Sequence, residues 1–148
     1  MAYFAKILGV LPLIFLVSLD SSKTTQDNNT IIVNVYSYED ISEKAIKWAD
    51  VFQITPYHYY VYFYSPYCGH CQSIKDLVIN YSVCGEIPMF FVEANNEVVT
   101  SKDTHLTIGA TSIEQLWILG YPSLVEIESG VVIANTAGAN AIQEILLI

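Results

Sequence analysis

Two cysteines separated by two residues are the chemically most distinctive feature of the sequence. Cys68-Gly69-His70-Cys71 follows a run of aromatic and β-branched residues and opens a stretch with helical spacing. In that context the C-x-x-C pattern indicates a redox pair. Free backbone N–H groups and the helix dipole stabilise a thiolate at a helix N-terminus, so Cys68 is the expected nucleophile. Cys71 lies one turn later, close enough to close a disulfide, and is the expected resolving thiol.

His70 places a cationic or hydrogen-bonding group between the two cysteines. Such a neighbour favours the reduced form of the pair, with Cys68 ionised. A disulfide between Cys68 and Cys71 is therefore expected to be more oxidising than one with an uncharged residue at position 70. The pattern predicts exchange of dithiols with disulfides, with His70 as a third catalytic residue.

A buried structural disulfide and half of a zinc site are the alternatives for the same pair. Zinc needs two further ligands, and the candidates Cys84, His58 and His105 form no second paired motif. Cys84 lies beyond the far end of the predicted helix, about 20 Å from Cys68 at about 1.5 Å per residue. The sequence therefore favours the redox interpretation and predicts no metal and no cofactor, with Cys84 as a spare thiol.

The elements that must position the pair alternate between strand and helix signals. Strands are predicted at 31–36, 59–64, 89–92, 123–127 and 131–134, and helices at 40–52, 68–83, 112–119 and 140–148. The 59–64 strand is apolar on both faces, as is typical of a central strand. Ser129-Gly130 is a hairpin signal, and 93–105 is polar and irregular. The order β-α-β-α-β-α-β-β-α predicts an α/β fold with a mixed central sheet and helices on both faces.

The N-terminal residues carry a separate signal. Residues 7–19 are nearly continuous apolar sequence after Lys6, a length that suits a signal peptide better than a bilayer span of about 20 residues. No small-residue cleavage site follows, so we interpret 1–20 as a signal peptide or an uncleaved membrane anchor and 21–30 as a polar linker. The domain is then 31–148, exported or membrane-anchored on the extracytoplasmic or secretory-lumen side.

Composition excludes two classes of protein. The 148 residues contain 15 acidic and 6 basic residues, the latter all lysines, for a formal net charge of -9. Nucleic-acid binders need cations to neutralise phosphates, so no nucleic-acid partner is expected. With 53% hydrophobic and 14% charged residues, the chain is also too apolar to be disordered.

Two segments resemble signatures of the thioredoxin superfamily. Tyr62-Phe63-Tyr64-Ser65-Pro66-Tyr67-Cys68-Gly69-His70-Cys71 is similar to its active-site strand and turn, and the CGHC motif is typical of the protein disulfide isomerase branch. Gly120-Tyr121-Pro122-Ser123-Leu124 is similar to its second signature, in which the proline peptide bond is cis and faces the cysteine pair. The resemblance covers most of 31–148 and implies a thioredoxin fold.

The resemblance also implies a function and a role for each site residue. It implies a thiol-disulfide oxidoreductase whose partners are protein thiol or disulfide substrates. A membrane redox partner belongs to the alternative of a membrane-tethered reductase. The exposed backbone of Tyr121 would pair with an extended substrate segment. The implied catalytic residues are Cys68, Cys71 and His70, and the implied substrate-binding residues are Tyr67, Gly69, Tyr121 and Pro122.

The sequence departs from the family pattern at three places. The family often has a buried acidic residue as proton acceptor at the position of Tyr62, whose ordinary pKa near 10 makes it a poor base. Tyr67 replaces the usual tryptophan, and 93–105 is expected to hold an extra loop. Two other functions stay open: a redox-inactive binding module that uses the groove beside Pro122, and a membrane-tethered disulfide reductase.

Overall fold

The computed structural model of the protein describes residues 36–101 and 107–148. The predicted signal or anchor at 1–20, the linker at 21–30, nearly all of the predicted 31–36 strand and His105 lie outside the described residues, so these interpretations stay predictions. Within the described ranges, no helix is both long and apolar enough to cross a membrane.

Strands and helices of the described residues alternate in the order β-α-α-β-β-β-α. The strands are β1 (His58–Tyr64), β2 (Met89–Glu93), β3 (Ser123–Glu128) and β4 (Val131–Ala137). The α-helices are α1 (Gly69–Ser73), α2 (Lys75–Cys84) and α3 (Ala139–Leu146). Short 3-10 segments lie at Tyr38–Lys44, Trp48–Asp50 and Ile113–Gln115.

The described strands form one mixed sheet in the order β2-β1-β3-β4. β1 is parallel to β2 and antiparallel to β3, and β3 and β4 form a hairpin. Every residue of β1 after His58 is buried, which confirms the central strand predicted from its aromatic run. The hairpin turn is also confirmed, because Ser129 and Gly130 both adopt the positive φ that tight hairpin turns require.

Alternate side chains of β1 pack into two separate cores, as the period of a strand dictates. Tyr60, Tyr62 and Tyr64 lie in a first core with residues of α1, α2 and α3. Tyr59, Val61 and Phe63 lie in a second core with Trp48, Val51, Leu116 and Ile118. All α-helices of the described residues therefore pack on the first face. The prediction of helices on both faces is wrong, because 3-10 and extended segments cover the second.

The prediction of a helix at 40–52 is wrong, because the apolar residues of this segment pack on opposite faces of the sheet. Ile41 is buried in the first core, whereas Trp48 is buried in the second. Between them the chain passes the outer edge of β2, where Ala45 bridges Phe91 and the Ile46 N–H donates to the Phe91 carbonyl at 2.8 Å. One continuous helix has a single apolar stripe and cannot reach both cores, so two 3-10 segments replace it.

The predicted helix at 112–119 shrinks to the single 3-10 turn Ile113–Gln115. Leu116 and Ile118 then follow in extended backbone, and both are fully buried in the second core. Ile118 donates its N–H to the Val99 carbonyl at 3.0 Å. Leu116 and Ile118 are two residues apart, which is the spacing of a strand. In the sequence, so short an apolar run does not distinguish a strand from a helix.

Candidate active site

Cys68 is placed by the turn that connects β1 to α1. It is the N-cap residue of α1, with extended backbone, and its Sγ accepts the backbone N–H of Cys71 at 3.3 Å. The same Sγ donates to the carbonyl oxygen of Tyr121 at 3.5 Å. The sulfur therefore faces both the start of the helix and the second signature segment.

Cys71 is a free thiol buried directly behind Cys68. Its side chain is 0% exposed, whereas that of Cys68 is partly accessible. Burial, and next the hydrogen bond with Cys68, raise the pKa of the Cys71 thiol to about 12. Cys71 is therefore protonated at neutral pH, and Cys68 is the more accessible sulfur of the pair.

The predicted 68–83 helix is interrupted after Cys71. Ile74 has φ -116° and ψ 8° and separates α1 from α2. Its side chain is buried in the first core. After this break α2 packs on the sheet, whereas α1 lies next to the cysteine pair at the end of β1.

Tyr121 and Pro122 lie opposite the pair, and their peptide bond is cis, as the resemblance implied. A cleft of about 390 Å³ opens beside them. Its lining comprises His70, Tyr121, Pro122 and the segment 137–141. The structure thus brings His70 and the second signature to one cleft, next to Cys68.

The other predicted site residues lie at the rim. Tyr67 is 96% exposed, and a Cβ built on Gly69 would meet no atom within 4 Å. His70 is exposed, and among the hydrogen bonds of the described residues none joins its ring to Cys68. All three residues are exposed, and neither the Tyr67 nor the His70 side chain forms a hydrogen bond with the two thiols among the described contacts.

Two tyrosines lie beneath the cysteine pair. Tyr62 is 0% exposed, and its hydroxyl lies within reach of the hydroxyl of Tyr38. Burial, then proximity to Tyr38 and Cys71, raise the pKa of Tyr62 far above its ordinary value, so it cannot act as a base at neutral pH. The Tyr38 hydroxyl donates to the Cys71 carbonyl at 3.4 Å. Tyr38 was not predicted, because it lies 33 residues before Cys71 and no sequence pattern links the two.

Two of the three candidates for further zinc ligands lie within the described residues. His58 pairs with Glu126 at 2.7 Å, and Cys84 is exposed at the C-terminal end of α2. Among the described residues no group of three or more His, Cys, Asp or Glu could hold a metal ion.

A solved thioredoxin structure shares this architecture. Thioredoxin f2 from Chlamydomonas reinhardtii is 20% identical over 70% of this chain and 91% of its own, with a TM-score of 0.50. Mitochondrial thioredoxin 3 from Saccharomyces cerevisiae is 14% identical over 76% and 98%, with a TM-score of 0.49. No family model and no curated protein matches the sequence. The described domain has the thioredoxin fold, which confirms the fold class predicted from the two signatures.

The burial of Cys71 predicts a large difference in thiol reactivity. In the reduced Cys84→Ala protein we expect iodoacetamide to modify Cys68 rapidly at pH 8 and Cys71 at least about a hundredfold more slowly, because only the thiolate reacts. Below its pKa of about 12, the Cys71 rate should rise about tenfold per pH unit. Peptide mass spectrometry at pH 7, 8 and 9 measures both rates. Equal rates at pH 8 would contradict the assignment of Cys71 as the buried thiol.

Proposed function

We propose that this protein is a thiol-disulfide oxidoreductase that exchanges dithiols and disulfides in other proteins. The observation that carries the proposal is the position of Cys68, whose Sγ accepts the N–H of Cys71 and lies 3.5 Å from the Tyr121 carbonyl. A partly accessible sulfur is thus held at a helix start, beside a cleft, with a second sulfur buried behind it. The thioredoxin fold supports the same conclusion.

The exchange proceeds in two balanced steps. The Cys68 thiolate attacks one sulfur of a substrate disulfide, a mixed disulfide forms, and the other substrate sulfur leaves and takes a proton. Cys71 then loses its proton to water and attacks the Cys68 sulfur. The Cys68–Cys71 disulfide forms, the second substrate thiol is released, and two electrons have passed from the protein to the substrate. Run in reverse, the same steps oxidise a substrate dithiol.

The finer assignment to the disulfide isomerase branch rests on the CGHC motif. His70 is exposed beside the cleft, and a cationic or hydrogen-bonding group between the two cysteines favours the dithiol form and makes the disulfide more oxidising. We therefore propose oxidation or isomerisation of substrate proteins as the principal activity. A redox titration of the Cys68–Cys71 couple tests this: a potential near that of thioredoxin, about -270 mV, would identify a reductase.

The place of action is proposed from the sequence. The apolar run at 7–19 supports export, either cleaved or retained as a membrane anchor. Substrates would then be secreted or membrane-exposed proteins, and an anchored form would meet a membrane redox partner. Cell fractionation with protease protection of the full chain tests the assignment, and a protease-inaccessible cytosolic pool would contradict it.

Trapping of the mixed disulfide tests the proposed function directly. In a Cys84→Ala background, Cys71→Ser is expected to accumulate a covalent adduct with a synthetic peptide closed by one disulfide, because attack succeeds and resolution fails. Non-reducing electrophoresis and mass spectrometry detect the adduct, and dithiothreitol should release it.

The matched control for trapping is Cys68→Ser in the same Cys84→Ala background. It keeps the fold and the Cys71 thiol but lacks the accessible sulfur, so we expect no adduct. If neither variant forms an adduct, or both form it equally, the proposed exchange chemistry is wrong and the fold serves another purpose.

A further inference from the structure

The helix α1, which begins at Cys68 and contains Cys71, has little packing of its own. It spans only Gly69–Ser73, and the break at Ile74 separates it from α2. Cys71 is the only residue of α1 that is buried. Helices this short are not stable by themselves. The hydrogen bonds that join α1 to its surroundings therefore decide where the Cys68 sulfur lies.

The side chain of Gln72 forms one of these hydrogen bonds. Its Nε2 donates to the Pro66 carbonyl at 2.8 Å, and its backbone N–H donates to the Cys68 carbonyl at 3.0 Å. Among the described residues no other hydrogen bond reaches the Pro66 carbonyl. Gln72 thus closes the segment 66–72 into a loop that contains the nucleophile.

The contact that this loop maintains is the one between the Cys68 sulfur and the start of α1. Cys68 Sγ accepts the backbone N–H of Cys71 at 3.3 Å. A hydrogen bond to the charged form of a group favours that form, so this N–H stabilises the Cys68 thiolate. The sulfur keeps the N–H only while the turn before Cys68 and the helix after it keep their relative position.

We propose that Gln72 is a positioning residue, whose hydrogen bond to the Pro66 carbonyl holds the Cys68 sulfur at the Cys71 N–H and thereby increases the thiolate fraction of Cys68 at neutral pH. The inference rests on the proposed function and deepens it, because it names the residue that prepares the nucleophile. Gln72 forms no hydrogen bond with either sulfur among the described contacts and exchanges no proton. It acts through the backbone of the turn.

The titratable groups around the Cys68 sulfur come from α1, β1, the first 3-10 segment and the cleft. They are Cys71, His70, Tyr62, Tyr38 and Tyr121. None of them forms a hydrogen bond with the Gln72 side chain among the described residues. Since Gln72 is itself uncharged, a neutral substitution there leaves the charges around the sulfur unchanged.

Gln72→Met tests the proposal, because it removes the donor and keeps a side chain of similar length and helix propensity. In a Cys71→Ser, Cys84→Ala background Cys68 is the only thiol, and its rate with iodoacetamide is measured at pH 6.5 and pH 10. The ratio of the two rates reports the thiolate fraction at pH 6.5, since an ordinary thiol is ionised at pH 10. We expect Gln72→Met to lower this ratio about threefold to tenfold, the effect of one lost hydrogen bond.

Ser73→Ala in the same background is the matched control. Ser73 is also exposed in α1, and its Oγ donates to the His70 carbonyl at 2.8 Å. This hydrogen bond has the same length as that of Gln72 but stays within the helix, so we expect the ratio to stay within about twofold. A side chain that only stabilises α1 would change the rates at both pH values by the same factor, which leaves the ratio unchanged.

Gln72→Lys is the rescue variant, because lysine keeps a donor within reach of the Pro66 carbonyl. In 1 M sodium chloride, which screens charges beyond about 3 Å, its ratio should stay within about twofold of that with Gln72. A ratio that Gln72→Met leaves unchanged or raises, or that Gln72→Lys lowers as far as Gln72→Met, would overturn the inference. Alkylation needs no exchange activity, so this failure is distinguishable from a failure of trapping.

Discussion

Cys68→Ala is expected to reduce disulfide exchange by about a thousandfold or more, the loss that follows removal of a nucleophile. Cys71 cannot replace it, because its sulfur is fully buried and burial raises its pKa to about 12. Cys84 cannot replace it either, since it lies at the opposite end of α2 from the cleft. The measurement is turnover of a peptide disulfide with dithiothreitol as the electron source.

Cys84→Ala serves as the matched control for this loss. It also removes one thiol, but an exposed one outside the proposed site, and it is expected to retain activity within about twofold. Circular dichroism should show that both variants fold. Activity that survives Cys68→Ala, or that disappears with Cys84→Ala, would show that the reactive thiol is not the one at the start of α1.

Phe63→Ala is expected to destabilise the domain by about 3–5 kcal/mol, the usual cost of truncating a buried aromatic side chain. Phe63 is 0% exposed and packs edge to face with Trp48, with ring centroids 5.8 Å apart. It lies on the central strand, where both neighbouring strands prevent the backbone from closing the cavity. Because domains are stable by only about 5–15 kcal/mol, urea unfolding should show a large shift in midpoint.

Ile133→Ala is the control for Phe63→Ala. Ile133 lies on β4 and is 43% exposed, so its truncation should cost about 1 kcal/mol or less. Phe63 packs in the second core, away from the cysteines, so folded Phe63→Ala protein that also carries Cys71→Ser and Cys84→Ala should still accumulate the mixed disulfide. Comparable losses for the two variants would show that the second core contributes little to stability.

The active-site turn could be predicted from the sequence because its determinants are local. A buried aromatic strand, Pro66 and two cysteines at helical spacing lie within one short stretch, and the structure places Cys68 at the N-cap of α1. The β3–β4 hairpin was predictable for the same reason. Its two turn residues, Ser129 and Gly130, themselves adopt the positive φ that the tight turn requires.

The segments whose partners are distant in sequence could not be predicted. The apolar spacing of 40–52 is helical, yet Ile41 and Trp48 belong to different cores, and only the position of the β2 edge reveals this. The interaction of Tyr38 with Cys71 also depends on tertiary packing. Propensity describes a segment by itself, and tertiary packing overrides it where the chain must pass from one face to another.

The segment that passes around β2 has a consequence for self-association. Open sheet edges are templates for pairing with other molecules, which leads to aggregation and fibrils. Here the β2 edge is occupied at Phe91 by Ala45 and Ile46, and the β4 edge at Val132 by Gly109 and Ala110. Each edge of the described sheet is thus paired partway along its length with the protein's own backbone, which hinders strand pairing between two molecules.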